Sequence, residues 1–82
     1  MREEVWQDEN GKVVKYNLAY INFSIFSEDN GRVLGYDNSH DRHHRHFMGA
    51  VQSIKFKNYS TLASRFHDEV RELWKKEDEK NG

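Results

Sequence analysis

Apolar and polar positions alternate over much of the first half of the chain, and this period of two predicts β-strands. The longest such segment is KVVKYNLAYINFSIF, residues 12–26. β-Branched and aromatic residues dominate it, which favours a strand over a helix. One face of this predicted strand is formed by even-numbered residues: Val14, Tyr16, Leu18 and Tyr20.

Turn residues separate this strand from its predicted neighbours. Asn10-Gly11, within VWQDENGKVV, is a strong two-residue turn signal and predicts an N-terminal hairpin. A second turn, residues 27–31, also ends in Asn-Gly. Residues 32–38, RVLGYDN, predict a short strand in which Gly35 marks a bulge or a close approach of backbone.

The last third of the chain changes from strand to helix periodicity. Residues 47–57, FMGAVQSIKFK, predict a final strand that bends at Gly49. Asn58 is a good helix N-cap, and a helix should run from about Tyr59 to about Lys76. Its apolar stripe has the spacing of a buried helix face and consists of Tyr59, Leu62, Ala63, Phe66, Val70, Leu73 and Trp74.

Strands followed by a helix predict an α+β fold, a small antiparallel β-sheet of about four strands with one C-terminal amphipathic helix packed on a face. A chain of 82 residues is expected to form a single domain, residues 1–82. We expect residues 1–57 to form a β-meander with a histidine-rich loop, and residues 58–78 to form the helix. A sheet this small has free edges, which favours a homodimer.

The composition excludes several classes of function but does not alter the fold prediction. The chain has no cysteine, which excludes disulfides, thiolate metal sites and cysteine nucleophiles. Its formal net charge is −1 with neutral histidines, so binding to a polyanion must come from a local patch. No apolar run approaches the roughly 18–20 residues of a membrane span, and the N-terminus lacks the apolar core of a signal peptide. We therefore expect a cytoplasmic protein with no membrane contact.

Residues 36–46, YDNSHDRHHRH, hold four of the five histidines, together with two arginines and two aspartates. The simplest interpretation is a polar surface loop. A metal site is a second interpretation, because His44 and His46 point to the same face of an extended strand. However, no second cluster supplies further ligands, and the nearby arginines repel a cation, so we predict no metal site. We also predict no cofactor, since so small a domain has little room for a deep cavity.

Acid–base chemistry on a phosphodiester is the third interpretation. Histidine titrates near neutral pH, so one imidazole can accept a proton while another donates one. Metal-free RNA cleavage needs such a pair and a cation that stabilises the phosphorane. His44 and His46 are the candidate pair, and Asp37 can orient a ring nitrogen. Arg45 is the candidate cation, although alternation points it away from both histidines in a regular strand.

Other residues of the stretch are candidate contacts to the substrate: Tyr36, Asn38, His40, Arg42 and His43. Of these, Arg42 is an alternative to Arg45 as the phosphate ligand. The fifth histidine, His67, neighbours Phe66 on the predicted helix, and we interpret it as a residue at the edge of the core.

The run RVLGYDNSHDRHHRH, residues 32–46, resembles the signature of the TumE family of toxins from prokaryotic toxin–antitoxin pairs. The resemblance rests on a strand ending in Tyr-Asp-Asn, a short loop with a histidine and a His-Arg-His triplet, here residues 36–38, 40 and 44–46. KYNLAYI and FKNYSTLASRFHDEV resemble the family's central strand and terminal helix. The likeness therefore covers about residues 13–73. The loop SHDRH is richer in charge than the family's Gly- and Pro-containing loops.

The resemblance implies a growth-inhibiting toxin that a cognate antitoxin neutralises, typically a small DNA-binding protein encoded beside it. Together with the histidines, it favours a ribonuclease, with RNA as the substrate. Binding of RNA or of a partner protein without turnover stays open, with Tyr16, Tyr20 and Phe23 as stacking residues, although core packing is favoured for them. A histidine-rich metal-binding protein and an all-α nuclease with an arginine–histidine motif are further alternatives. The strand-rich first half argues against the last.

Overall fold

The computed structural model describes residues 1–81, apart from the side chains of His40, Lys80 and Asn81. Within these residues the chain forms five strands and one long helix. The elements are β1 (Arg2–Gln7), β2 (Val13–Ile21), β3 (Arg32–Asp37), β4 (His44–Phe47), β5 (Ala50–Ser53) and α1 (Tyr59–Asn81). Two short 3-10 turns precede β3 and β4.

The strands pair in sequence order, each antiparallel to the next, so the sheet is an open meander. The helix packs on one face of this sheet, which confirms the predicted α+β fold. The predicted count of about four strands is one too low. No helix within residues 1–81 is both long enough and apolar enough to cross a membrane.

The core lies between α1 and one face of the sheet. Leu18 in β2 lies opposite Tyr36 in β3, and Phe66 of the helix meets Tyr36 edge to face with ring centroids 6.2 Å apart. The buried apolar residues that form this core cluster are Tyr16, Leu18, Tyr20, Val33, Leu34, Tyr36, Leu62, Phe66 and Val70. Tyr16 and Tyr20 are thus core residues and offer no stacking platform for bases.

We call the sheet face under α1 the helix face and the opposite face the open face. Side chains alternate between the two faces along each strand. The β1 edge contributes Glu3 and Val5 to the helix face, where Glu3 contacts His67 of α1. The open face carries Asn17, Ala19, Gly35, Asp37, His44 and His46 in paired positions of β2, β3 and β4.

The histidine-rich stretch is where the fold departs most from prediction. We expected a loop followed by one bent strand, but His44–Phe47 forms β4 and pairs with a separate β5. The cause is the turn between them. Met48 and Gly49 have φ values of 45° and 86°, the left-handed pair that a tight two-residue hairpin turn requires. Ile54 and Phe56, predicted within the last strand, lie outside the sheet and pack half-buried beside the core.

The long predicted strand of residues 12–26 ends early, at Ile21. Asn22 stops it, because its side-chain Oδ1 accepts the Ser24 N–H at 3.0 Å. The Asn22 carbonyl also accepts the Phe26 N–H at 3.1 Å, which closes a turn instead of continuing the ladder.

The helix begins where the sequence predicts and ends later than predicted. Asn58 Oδ1 accepts the Thr61 N–H at 2.8 Å, which confirms the N-cap. The helix continues past Lys76, the expected end, to Asn81. One of its last turns still touches the sheet, since the Tyr20 hydroxyl donates to Glu77 Oε1 at 2.7 Å.

Candidate functional site

Cross-strand pairing brings the two ends of the histidine-rich stretch together on the open face. Asp37 ends β3 and lies opposite His44 in the β3–β4 ladder. The Nε2 atom of His46 is 2.7 Å from Oδ2 of Asp37, and the Nδ1 atom of His44 is 3.7 Å from Oδ1. One carboxylate therefore contacts both imidazoles, whose ring centroids are 6.2 Å apart.

A guanidinium that we did not predict completes this group. Arg32 Nη2 is 3.1 Å from Nδ1 of His46, and Arg32 Nη1 is 3.7 Å from Oδ2 of Asp37. Its Nε donates to Oδ2 of Asp29 at 2.9 Å, which anchors the side chain. We call Arg32, Asp37, His44 and His46 the open-face cluster.

Two local features carry Arg32 to this face. Simple alternation puts it with Leu34 and Tyr36 on the helix face, but a register shift between Tyr20 and Ile21 moves it across. Gly35 then leaves room for its alkyl chain. A Cβ there would lie 2.6 Å from Arg32 Cδ and 3.2 Å from the backbone oxygen of β2. Gly35 is the one feature of the sequence that could have indicated the position of Arg32. From the sequence, it is interpreted only as a bulge or a close approach of backbone.

The contacts of His46 assign the position of its proton. A guanidinium N–H only donates, so Nδ1 of His46 is the acceptor and is unprotonated. An ionised carboxylate only accepts, so Nε2 carries the hydrogen that Asp37 binds. His46 is therefore held as the neutral Nε2–H tautomer.

Asp37 is ionised in this arrangement. Burial alone raises the pKa of a carboxyl group, but the Ser39 N–H, His46 and Arg32 all stabilise the charged form. Their combined effect lowers the pKa of Asp37 below its ordinary value. The Ser39 N–H lies 3.2 Å from Oδ1, so the carboxylate is also oriented by the turn that follows β3.

Arg45, the middle residue of the triplet, lies on the helix face, away from both histidines. Its guanidinium pairs with Glu69 of α1, and its Nε donates to the Tyr36 hydroxyl at 3.2 Å. The hydrogen bond to Glu69 raises the pKa of Arg45, and burial raises the pKa of Tyr36 to about 12. We predicted Arg45 as the catalytic cation and Tyr36 as a substrate contact. The fold places both on the helix face, Tyr36 buried and Arg45 partly buried, in a network that joins the helix to the sheet.

His43, predicted as a substrate contact, also lies on the helix face. Its ring stacks on Phe56 with centroids 4.1 Å apart and an interplanar angle of 3°. The Tyr16 hydroxyl lies 2.7 Å from Nδ1 of His43. Burial strongly raises the pKa of Tyr16, so the hydroxyl donates and the imidazole accepts. Burial and the neighbouring His44 lower the pKa of His43, which favours its neutral form.

The remaining predicted contacts have different environments. Asn38 extends the β2–β3 ladder, because its carboxamide accepts the Tyr16 N–H and donates to the Val14 carbonyl, both at 3.0 Å. It thus positions the end of β3 next to Asp37. Arg42 is exposed, two residues before His44 in the chain, and stays a predicted contact. The backbone of His40 lies in the turn before β4, and its side chain is not among the described parts of the structure.

His67 lies on the other side of the molecule from the cluster. It is partly exposed, packs against Phe66 and contacts Glu3 at the sheet edge. This environment agrees with the interpretation of His67 as a residue at the edge of the core.

Among the described side chains, no group of three or more histidine, aspartate and glutamate residues is placed to hold a metal ion. In the open-face cluster, the Nδ1 lone pair of His46 faces the guanidinium of Arg32 instead. A metal cation at that nitrogen would meet this positive charge directly. Proton transfer and oxyanion binding fit the cluster better than metal ligation.

The fold and the cluster together define a class, a small α+β protein whose acid–base groups lie on the uncovered face of its sheet. The family model described as Toxin TumE matches residues 1–74, which include the whole cluster. The chain belongs to the TumE toxin family, and the resemblance seen in the sequence is confirmed. It is the toxin of a toxin–antitoxin system, and its family implies an antitoxin partner. No curated protein and no solved structure matches the chain.

Proposed function

We propose that this toxin is a metal-independent endoribonuclease whose reaction takes place at the open-face cluster. The observation that supports this most is the convergence of His44 and His46 on one ionised carboxylate, Asp37. The histidine side chains are 23% and 14% exposed, so both rings reach the surface of the sheet. A surface site suits a polymer substrate, which does not fit into a closed cavity.

The proposed reaction is an internal transesterification of RNA. One imidazole takes the proton of the 2′-hydroxyl while the 2′-oxygen bonds to phosphorus. The bond from phosphorus to the 5′-oxygen breaks, and the other imidazole, protonated, gives its proton to that oxygen. The products are a 2′,3′-cyclic phosphate and a 5′-hydroxyl end. Asp37 orients His46 and stabilises the imidazolium that forms during the cycle.

Arg32 takes the role of phosphate ligand that the sequence suggested for Arg45. Its guanidinium is 3.1 Å from His46, whereas Arg45 is occupied by Glu69 on the other face. A guanidinium can hold two phosphate oxygens at once and offset the charge of the phosphorane. Arg42 and His40 remain proposed contacts to the flanking nucleotides, since both follow Asp37 in the connection to β4.

The proposal extends to the toxin's partners and location. RNA is the proposed substrate, the antitoxin is proposed to be a small DNA-binding protein, and the cytoplasm is the proposed place of action. A homodimer is also proposed. In the sheet of residues 2–53, the outer edges of β1 and β5 have no neighbouring strand, and such edges favour pairing with a second chain.

The first test is incubation of the purified protein with total cellular RNA, with and without EDTA. The variant is His44→Ala/His46→Ala, and the matched control is His67→Ala, which removes a histidine outside the cluster. We expect cleavage by the wild type and the control in both buffers, and none by the double variant. Product ends are then analysed for a 2′,3′-cyclic phosphate.

Other outcomes decide between the alternatives. Cleavage that stops in EDTA replaces the metal-free mechanism with a metal-dependent one. RNA binding without cleavage between pH 5.5 and 8 favours a binding module. Cleavage by a folded double variant contradicts the assignment of the two histidines, and thermal unfolding of each variant shows whether it is folded.

A further inference from the structure

The one nitrogen of His46 that can accept a proton is occupied in the free protein. Nε2 already bears a hydrogen directed at Asp37, and Nδ1 accepts an N–H from Arg32 at 3.1 Å. A guanidinium N–H and a protonated Nδ1 would be two donors facing each other, so the contact with Arg32 requires an Nδ1 without a hydrogen. His46 is thus neutral, yet its lone pair is not available to a substrate while Arg32 stays in place.

The charges around Arg32 also oppose the binding of an anion. The guanidinium faces two carboxylates, with Nε 2.9 Å from Asp29 and Nη1 3.7 Å from Asp37. With neutral imidazoles, one positive and two negative groups leave this site with a formal charge of −1. An oxyanion therefore binds well only if protons enter the cluster with it.

We infer that an oxyanion of the phosphodiester class binds at Arg32, draws the guanidinium away from Nδ1 of His46, and is accompanied by uptake of a proton at that nitrogen. This inference deepens the proposed ribonuclease function by giving the site a substrate-dependent state. Before the oxyanion binds, Arg32 occupies the imidazole; afterwards Arg32 holds the anion and the imidazole is free to exchange its proton.

The neighbours of His46 on the adjoining strands are compatible with this coupling of oxyanion binding to proton uptake. On β3 it faces Asp37 and Arg32, and on its own strand it has His44 two residues away. On β5 it lies opposite the apolar Val51. Among the described neighbours of His46, only Asp37 carries a negative charge in direct contact, and this charge stabilises the imidazolium form once Arg32 has moved.

Sulfate is a suitable probe, because it is an oxyanion that does not itself titrate between pH 6 and 8. We would titrate the full chain, labelled with nitrogen-15 at histidine, with sodium sulfate and follow the ring nitrogens of each histidine by NMR. We expect His46 to change from the Nε2–H tautomer to the imidazolium as sulfate binds. Uptake of one proton makes the sulfate dissociation constant rise about tenfold per pH unit on the alkaline side of the transition.

Arg32→Gln is the test variant, and Arg71→Gln, at an exposed arginine of α1 outside the proposed site, is the matched control. The control should keep the sulfate response of His46, and Arg32→Gln should lose it. Sulfate binding that is equally strong at pH 6 and pH 8, a His46 ring that does not respond, or an unchanged response in Arg32→Gln would overturn the inference. Absence of sulfate binding by the wild type would overturn it as well.

Failure of this inference is distinct from failure of the proposed function, because the sulfate titration requires no RNA cleavage. If the protein binds sulfate with proton uptake at His46 but leaves RNA intact, the inference is supported and the proposed ribonuclease function is contradicted. If the protein cuts RNA but sulfate binding does not protonate His46, the ribonuclease function is supported and the inference is contradicted.

Discussion

Asp37 and His46 are nine residues apart in the chain, yet Oδ2 of Asp37 lies 2.7 Å from Nε2 of His46. The contact crosses the β3–β4 ladder, and it depends on the pairing of Tyr36 with Arg45 and of Gly35 with His46. A slip of the register by one residue would move the histidines to the other face of the sheet. The strand pairing therefore determines whether Asp37 and the two histidines form a cluster at all.

The first prediction concerns the carboxylate. Asp37→Asn keeps the shape of the side chain but removes the charge that orients His46 and stabilises its protonated form. We expect the rate of RNA cleavage to fall by about 10²–10⁴-fold, the usual contribution of a positioned acid–base group, with about 10⁴ expected where the orienting carboxylate is essential. Initial rates on a short fluorogenic RNA measure the change. The matched control is Asp41→Asn at an exposed aspartate of the same stretch, and similar rates in both variants would contradict the role of Asp37.

The second prediction separates the two arginines. Arg45→Met removes the ion pair with Glu69, whose partner side chains are only 18% and 24% exposed, and leaves Glu69 with the Tyr36 hydroxyl and the more exposed Arg65 as its contacts. We expect the free energy of unfolding to fall by about 1–3 kcal/mol, measured by urea denaturation. Arg42→Met, at an exposed site, should change it by less than about 0.5 kcal/mol.

The same arginine variant tests the division of roles. If Arg45 is structural, the folded fraction of Arg45→Met should cleave RNA at a rate close to that of the wild type, while the folded fraction of Arg32→Met should be nearly inactive. A stable but inactive Arg45→Met protein would restore the role that the sequence suggested for Arg45.

The third prediction uses the space at Gly35. In Gly35→Ala the new Cβ would lie 2.6 Å from Cδ of Arg32, so the arginine must leave its position beside His46. We expect a loss of cleavage of at least about tenfold, with a stability cost of about 1–3 kcal/mol for the crowding. Rates of the single variants and of Gly35→Ala/Arg32→Gln form a double-mutant cycle. If the two changes lower the rate independently, Gly35 does not act through Arg32.

The fourth prediction is a pH dependence of stability that arises at His43. Its pKa in the folded protein is lowered from the ordinary 6.5, so the unfolded chain binds more protons as the pH falls through this range. The contribution of His43 to stability is therefore fully present above pH 6.5 and is lost on acidification through the lower, folded pKa. Asp37, whose pKa is also lowered, adds a loss of the same sign below about pH 3.8.

Urea denaturation at a series of pH values between 7.5 and 5 tests this dependence. The wild type should lose stability across that range, and His43→Gln, which cannot titrate, should show a smaller loss. Ser64→Gln, at an exposed position of α1 that does not titrate, serves as the control and should keep the wild-type slope. An identical slope in His43→Gln would show that the acid sensitivity comes from another group.

Much of this protein follows from its sequence because the signals are local. Period-two alternation and Asn-Gly turns define β1 and β2, and an N-cap followed by an apolar stripe defines the start of α1. Alternation also places His44 and His46 on one face of a strand and Arg45 on the other. The Tyr-Asp-Asn and His-Arg-His motifs were sufficient to recognise the TumE family.

The composition of the cluster, by contrast, depends on contacts that are distant in sequence. Only the position of α1 decides which face is buried, and so makes Arg45 and His43 packing residues while His44 and His46 stay on the open face. Only the register shift in the β2–β3 pair, together with the space at Gly35, brings Arg32 to His46. A local pattern determines which residues share a face of a strand. Strand register and helix docking depend on the packing of the whole core, and they determined which side chains contact each other.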